Sequence, residues 1–319
     1  MNAKSERRTV SARKPRTGGS VRASGSRTGP GKRRRAIGSR GTQRRRTGRT
    51  GSGRPERTAA DTLAWMKAAA RLSVIVSAMN EERTLPRVLE ETVKLRAAET
   101  IVVLNGCTDT SFERARRCRE AVIVHVPEAA GHDVSRAIGA RLARGDILLF
   151  VDGDIPVPAA QLKPFVLAVA DGADVALNDI DPLLPPFRRS DAVTRSKQFL
   201  NLALGRDGLG AASMTAVPHA ISRRALDTVG AAALMVPPKA QAIAIAEGLR
   251  VVSPATVNVI RGNRKRGAGN TGAGNPVAAL IAGDHAEALQ EAMDRLGRRM
   301  LPDGAEERRR EVAAWRNGR

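Results

Sequence analysis

Two carboxylates one residue apart, Asp152 and Asp154 around Gly153, close the apolar run Ile147-Leu148-Leu149-Phe150-Val151. A short buried strand that ends in paired acids is a place to hold a divalent cation. Hard cations such as Mg²⁺ and Mn²⁺ take oxygen ligands, few from protein and the rest from water and substrate phosphates. The chemistry indicated is the handling of a phosphorylated substrate. The plainer alternative is a polar turn after a core strand, because Asp-x-Asp is a common string. Two more polar clusters strengthen the first reading. Ser77 to Glu82 follows Leu72-Ser73-Val74-Ile75-Val76, and Asn105 to Asp109 follows Ile101-Val102-Val103-Leu104.

The elements that position these residues alternate. Strands are predicted at 72–76, 101–104, 121–126 and 146–151, with helices over 81–96, 110–119 and 132–144. Asn80 suits a helix N-cap, with Glu81 and Glu82 in the first turn. Thr110-Ser111-Phe112-Glu113 reads as a capping box. Near-continuous apolar strands between helices predict a parallel sheet covered on both faces. Ligands of such sheets bind beyond the carboxyl ends of the strands, so all three polar clusters fall on one edge. Beyond residue 155, helices are predicted at 159–171, 191–204, 222–229, 239–247, 278–297 and 304–316. Strands are predicted at 175–178 and 214–218, and one or two within 251–260.

The 319 residues suffice for one large α/β domain or two small ones. Aromatic residues make up only 2% and Tyr is absent, so aliphatic packing must fill the core. The formal charge of +22 is unevenly placed: residues 1–60 carry 19 Lys/Arg against Glu6 and Glu56, and residues 61–319 carry 35 against 30 acids. The Arg/Gly/Ser-rich stretch 1–60 lacks the large apolar residues needed to offset ordering entropy, and reads as a disordered basic tail. Lys32 to Arg35 and Arg44 to Arg46 suit nucleic acid or an anionic membrane equally. Met66, just before the first strand, is an alternative start. Cys107 and Cys118 are too few for a disulfide scaffold and lack zinc spacing. No apolar run approaches the roughly 18 residues of a spanning helix. The expected location is the cytoplasm, with a peripheral place at the inner membrane face as the variant.

Three stretches carry a family resemblance: Val74-Ile75-Val76-Ser77-Ala78-Met79-Asn80-Glu81-Glu82, then Ile101-Val102-Val103-Leu104-Asn105-Gly106-Cys107-Thr108-Asp109, then Ala143 to Asp154. In order and spacing they resemble the family 2 glycosyltransferases. The resemblance implies a Rossmann-like GT-A fold with a mainly parallel central sheet. It divides the chain into the tail, a domain over 70–300 and a basic loop with C-terminal helices over 261–319. Within the domain, 70–155 would bind nucleotide-sugar and 156–260 the acceptor. The implied activity is transfer of a sugar from a nucleotide-diphosphate sugar to an unknown acceptor, with Mg²⁺ or Mn²⁺. By the same resemblance, Ser77, Ala78 and Met79 would floor the base. Glu81 would reach the ribose or brace its loop, and Asn105 would read the base edge. Arg136 would meet the diphosphate. Asp152 would contact the ribose and approach the metal, and Asp154 would coordinate it.

The chain departs from that pattern where a catalytic base is expected. About twelve residues before Gly248 stand Met235 and Val236, followed by Pro237-Pro238, with no carboxylate. Asp179, Asp181, Asp191 and Glu247 are the candidates left. A distant similarity to retaining glucosyl-phosphoglycerate synthases implies a metal-binding His near the sheet's end. The matching place, Val259 to Asn263, has none, leaving His219 and His285 as substitutes. The basic run Arg261 to Arg266 could bind a diphosphate, a phosphorylated acceptor or lipid head groups. A nucleotidyltransferase would carry a Gly-rich loop after the first strand, and Ser77 to Arg83 has no Gly. The non-enzyme alternative is a nucleic-acid or anionic-membrane binder that uses the tail, with the α/β domain as scaffold.

Overall fold

A computed structural model describes residues 58–131, 133–259, 276–297 and 305–318. The tail before Thr58, with its expected partners, and the basic run Arg261 to Arg266 lie outside the described residues.

Seven strands form one sheet: β1 (Leu72–Ala78), β2 (Glu99–Asn105), β3 (Ala121–Val126), β4 (Ile147–Asp152), β5 (Val175–Asn178), β6 (His219–Ser222) and β7 (Val251–Ala255). Their spatial order is β3-β2-β1-β4-β6-β5-β7. All neighbours pair parallel except β6, which runs antiparallel to both β4 and β5. Among the described residues, ten helices accompany them: α1 (Ala59–Ala69), α2 (Leu85–Val93), α3 (Ser111–Ala115), α4 (Val134–Leu142), α5 (Ala159–Ala170), α6 (Ala192–Ala203), α7 (Arg223–Val229), α8 (Pro237–Ala246), α9 (Pro276–Leu296) and α10 (Ala305–Arg316).

Both sheet faces are buried, which is why the central strands are apolar without alternation. Val74, Val76, Leu149 and Val151 pack with Leu85, Val88, Leu162 and Phe165 from α2 and α5. Ile75, Leu148 and Phe150 on the opposite face pack with Ala137, Ala140, Leu226 and Ala240 from α4, α7 and α8. The chain thus builds a mixed α/β sheet, mainly parallel, from aliphatic side chains.

Besides shortening the helix expected over 110–119 to Ser111–Ala115, the structure differs from the expected elements at three places. Helix α1 was not anticipated. It is started by a capping box: the Asp61 amide donates to Thr58 Oγ1 (3.1 Å) and the Thr58 amide to Asp61 Oδ2 (3.1 Å). It rests on α5, where Lys163 Nζ sits 4.3 Å from the Trp65 ring centre. Second, the helix expected from 81 begins at Leu85. Asn80 adopts a left-handed φ of 58° and is no N-cap, and residues 81–84 form a turn closed by Leu85 N–H to Glu81 O (2.9 Å). Third, the strand expected at 214–218 lies just beyond, at His219–Ser222. The Met214 amide is taken by the Gln241 side chain (2.9 Å) and the Ala216 amide turns back to Ser213 O (2.9 Å), so neither is available to a ladder.

His219 is part of this core and not a substitute metal ligand. It is 1% exposed, stacks on Phe150 at 4.8 Å and bonds Ala216 O through Nδ1 (3.1 Å). Burial pushes its pKa down to about 3, helped by the positive charge of Arg136 and opposed by the Ala216 bond. The unfolded chain therefore binds a proton near pH 6.5 that the folded chain refuses, and stability falls as pH drops from 6.5 toward 3. Between pH 6.5 and 4.5 this one group should remove about 2 kcal/mol. Urea unfolding at both pH values should show His219→Phe losing correspondingly less than wild type over that interval; equal losses would contradict the assignment.

Candidate functional site

The carboxyl ends of β1, β2 and β4 open onto a cavity of ≈ 330 Å³. Asp152 lies opposite Ser77 in the β1–β4 register, and the Gly153 amide donates to Ser77 O (2.7 Å). A Cβ at residue 153 would sit 2.7 Å from the Ala78 Cβ. The middle residue between the two aspartates is therefore held to glycine by close approach of the neighbouring strand. Ser77, Ala78, Met79, Glu81, Asn105, Arg136, Asp152 and Asp154 all line the cavity, together with Asp133 and Gly131. The structure thus brings together every nucleotide- and metal-binding residue expected from the sequence.

Their tasks are more specific than the sequence indicated. Arg136 is 5% exposed, and Nη1 meets Asp133 Oδ1 (3.0 Å) and Met214 O (3.0 Å). Its Nη2 lies 3.6 Å from Asp152 Oδ1. A buried guanidinium needs such partners, and in return it braces the aspartate at the end of β4. Asp133 was missed at the sequence level; its position three residues before Arg136 in a helical stretch was the available signal.

The loops after β1 and β2 are stapled to each other. Asn80 Oδ1 accepts from the amides of Thr108 (2.7 Å) and Asp109 (3.3 Å). The Glu82 amide donates to Asp109 Oδ2 (3.0 Å), and Thr110 Oγ1 donates to Glu82 Oε2 (2.7 Å). Thr110 therefore forms no capping box; its hydroxyl is spent across the loops. Glu81 braces its own loop by accepting from Thr84 Oγ1 (2.9 Å), and its amide donates to Ser111 Oγ (2.8 Å). Burial pushes the Asp109 carboxyl up, but hydrogen bonds from Ser111 and the Glu82 amide outweigh it and hold it below the ordinary range.

Asn105 serves as a latch. Its Nδ2 donates to Gly131 O (2.7 Å) and its Oδ1 accepts from the Ala130 amide (2.9 Å). Both ends of the amide are thus committed to the loop that walls the cavity. Gly106 next to it has φ 65°, and a Cβ there would fall 2.7 Å from Ala129.

None of the carboxylates considered as a base lines this cavity. Asp191 caps α6 by accepting from the Thr194 amide (2.7 Å). Asp181 Oδ1 accepts from the Ala211 amide (2.8 Å), and Asp179 Oδ1 from the Asp181 amide (3.2 Å). Glu247 pairs with Arg295 of α9. His285 is 3% exposed, bonds Ile281 O within α9 (2.6 Å) and does not line the cavity. Met235 ends a 3-10 turn and Pro237 opens α8, so no acid stands at that helix start. Among the described residues, no three acidic, His or Cys side chains group as a metal cage. The aspartate pair would suit a cation that completes its shell with phosphates and water.

Comparison with known proteins agrees with this geometry. Glycosyl transferase family 2 matches residues 73–228. An undecaprenyl-phosphate 4-deoxy-4-formamido-L-arabinose transferase from Proteus mirabilis is 28% identical over 115 residues, covering 33% of this chain and 35% of that protein. A glucosyl-3-phosphoglycerate synthase from Mycolicibacterium smegmatis is 34% identical over 123 residues, covering 36% and 40%. The chain spans about a third to two fifths of the length of these curated relatives. The fold matches the crystal structure of glucosyl-3-phosphoglycerate synthase from Mycobacterium tuberculosis in complex with Mn²⁺, UDP and glucosyl-3-phosphoglycerate. That match has a TM-score of 0.54 at 21% identity and covers 78% of this chain and 87% of the other.

The latch yields a test. Asn105→Asp keeps the acceptor for Ala130 but sets a carboxylate against the Gly131 carbonyl, which raises the new group's pKa. At pH 8 the variant should be about 1–3 kcal/mol less stable than wild type. The deficit should shrink as pH falls and the new acid regains a proton to donate. Asn105→Ala should show a deficit independent of pH. Urea unfolding at pH 8 and pH 5 separates the cases, and a constant deficit in Asn105→Asp would contradict the latch.

Proposed function

Starting from a chain whose residues 73–228 belong to glycosyl transferase family 2, we propose that it transfers a sugar from a nucleotide-diphosphate sugar to a phosphorylated acceptor, with a divalent cation at Asp152 and Asp154. The observation that carries this reading is the composition of the cavity. Four carboxylates line it (Glu81, Asp133, Asp152 and Asp154) against one guanidinium, Arg136, whose Nη1 is held by Asp133 and Met214 O and whose Nη2 lies 3.6 Å from Asp152. Such a lining repels a diphosphate by itself and attracts a cation. Nucleotide binding should therefore depend on metal.

When bound, Mg²⁺ or Mn²⁺ supplies a Lewis acid that neutralises charge growing on the departing diphosphate. The chain's own residues prepare that event. Arg136 fixes the Asp152 side chain, and the Gly153–Ser77 bond fixes the backbone that carries both aspartates. Ala78 and Met79 offer an apolar floor for the base, with Met79 45% exposed and free to slide under a ring. The Asn105 latch holds the facing wall. The relatives' names support a phosphorylated acceptor: one carries undecaprenyl phosphate and the other phosphoglycerate.

A panel of UDP- and GDP-sugars, scored for released nucleoside diphosphate, tests the reading. Release should require Mn²⁺ or Mg²⁺ and should rise with either 3-phosphoglycerate or undecaprenyl phosphate, which separates a soluble from a lipid acceptor. Asp154→Ala should lower metal-dependent turnover by at least about 100-fold with little change in unfolding midpoint. Full turnover in that variant, or release indifferent to chelation, would refute the metal assignment.

A further inference from the structure

The chain has only five Phe, and two of them are spent on solvent within one short segment. Phe187 is 64% exposed and Phe199 57%; Leu202, one turn beyond Phe199, is 61% exposed. Arg195, Phe199 and Leu202 follow at helical spacing along the outward side of α6, while Leu200 and Asn201 are buried beneath. The turn before α6 belongs to the same surface. Ser190 Oγ donates to Phe187 O (2.6 Å), and Arg195 Nη2 donates to Ser190 O (2.8 Å), which ties the Phe187 turn to the start of the stripe.

The exposed charge around these apolar groups is more positive than negative. Arg188, Arg189 and Arg195 flank them, against exposed Asp191, which caps α6, and Asp207; Arg206 instead donates to Val251 O (2.7 Å). Apolar side chains rimmed by arginines fit a surface that is oily within and anionic at its face. We propose that the outward side of α6 and the Phe187 turn dock on an anionic lipid bilayer, with Phe187, Phe199 and Leu202 entering the headgroup layer and the arginines meeting lipid phosphates. This surface stands independently of the sugar-transfer reading.

The docking has a consequence for the cavity. The inward side of α6 places Asn201, whose Nδ2 donates to Gly210 O (2.8 Å) and Ala212 O (3.0 Å). Two residues on, Met214 O takes Arg136. One helix thus faces the bilayer with one side and with the other holds the segment whose Met214 carbonyl accepts from Arg136.

Flotation of the full-length chain with phosphatidylcholine vesicles, with and without phosphatidylglycerol, tests the proposal. The comparison is wild type against Phe199→Asp/Leu202→Asp, both retaining the basic tail. Wild type should bind the anionic vesicles and keep measurable binding at high salt, where purely electrostatic attraction is screened. The double variant should bind about tenfold or more weakly and lose the salt-resistant part. Metal-dependent diphosphate release and the unfolding midpoint should be unchanged in the variant, which separates this proposal's failure from that of the transferase reading. Equal vesicle binding by the two proteins at every salt concentration would overturn it. So would a wild-type dimer that the variant converts to monomer without change in vesicle binding, since a second copy would then be the occupant.

Discussion

One contact sets the geometry of the site: the ends of β1 and β4 approach so closely that residue 153 has no space for a side chain. The Gly153 amide reaches Ser77 O at 2.7 Å, with Ala78 against it. The cavity's two aspartates and its β1 wall both hang from that junction. Asp152 and Asp154 flank it, Asp152 is braced by Arg136, and Ser77 and Ala78 are its other half. The strand pair behind it is buried on both faces by α2, α5, α4 and α8. A packed aliphatic sheet resists deformation, so the backbone carrying the aspartates is rigid before any ligand arrives.

Charge decides what such a rigid site binds. Arg136 is buried, with Nη1 bonded to Asp133 and Met214 O and Nη2 3.6 Å from Asp152, so it braces carboxylates at the end of β4. The sequence-level expectation placed this arginine on the diphosphate itself. The geometry supports an indirect role, in which it orients the aspartate that a cation would use. Under the proposed function, the excess of carboxylates would make metal and nucleotide mutually dependent partners, a reciprocity that linkage requires.

Much of this was legible in the chain because it depends on local rules. The run Ile147 to Val151 ending in two acids, the alternation of elements through residue 155 and the convergence of three polar loops all follow from period and topology. What was not legible depends on distant partners. Asn105, expected to read the base edge, also bonds the backbone of Ala130 and Gly131, 25 and 26 residues away, a role that no local pattern signals. Asn80 and Thr110 look like caps, but tertiary bonds between loops claimed both. Asp191 and Glu247 are acids near the right place in sequence, and only the fold shows one capping a helix and the other paired with Arg295. Helix α1 was overlooked although Thr58 and Asp61 carry the spacing of a capping box.

The most direct measurement of the central claim is anomalous X-ray scattering from crystals grown with Mn²⁺ and UDP. The expected result is a manganese peak bonded to oxygens of Asp152 and Asp154 and to the diphosphate, with Arg136 still on Asp152. A peak held by other side chains, or UDP ordered in the cavity with no metal between it and the two aspartates, would contradict it.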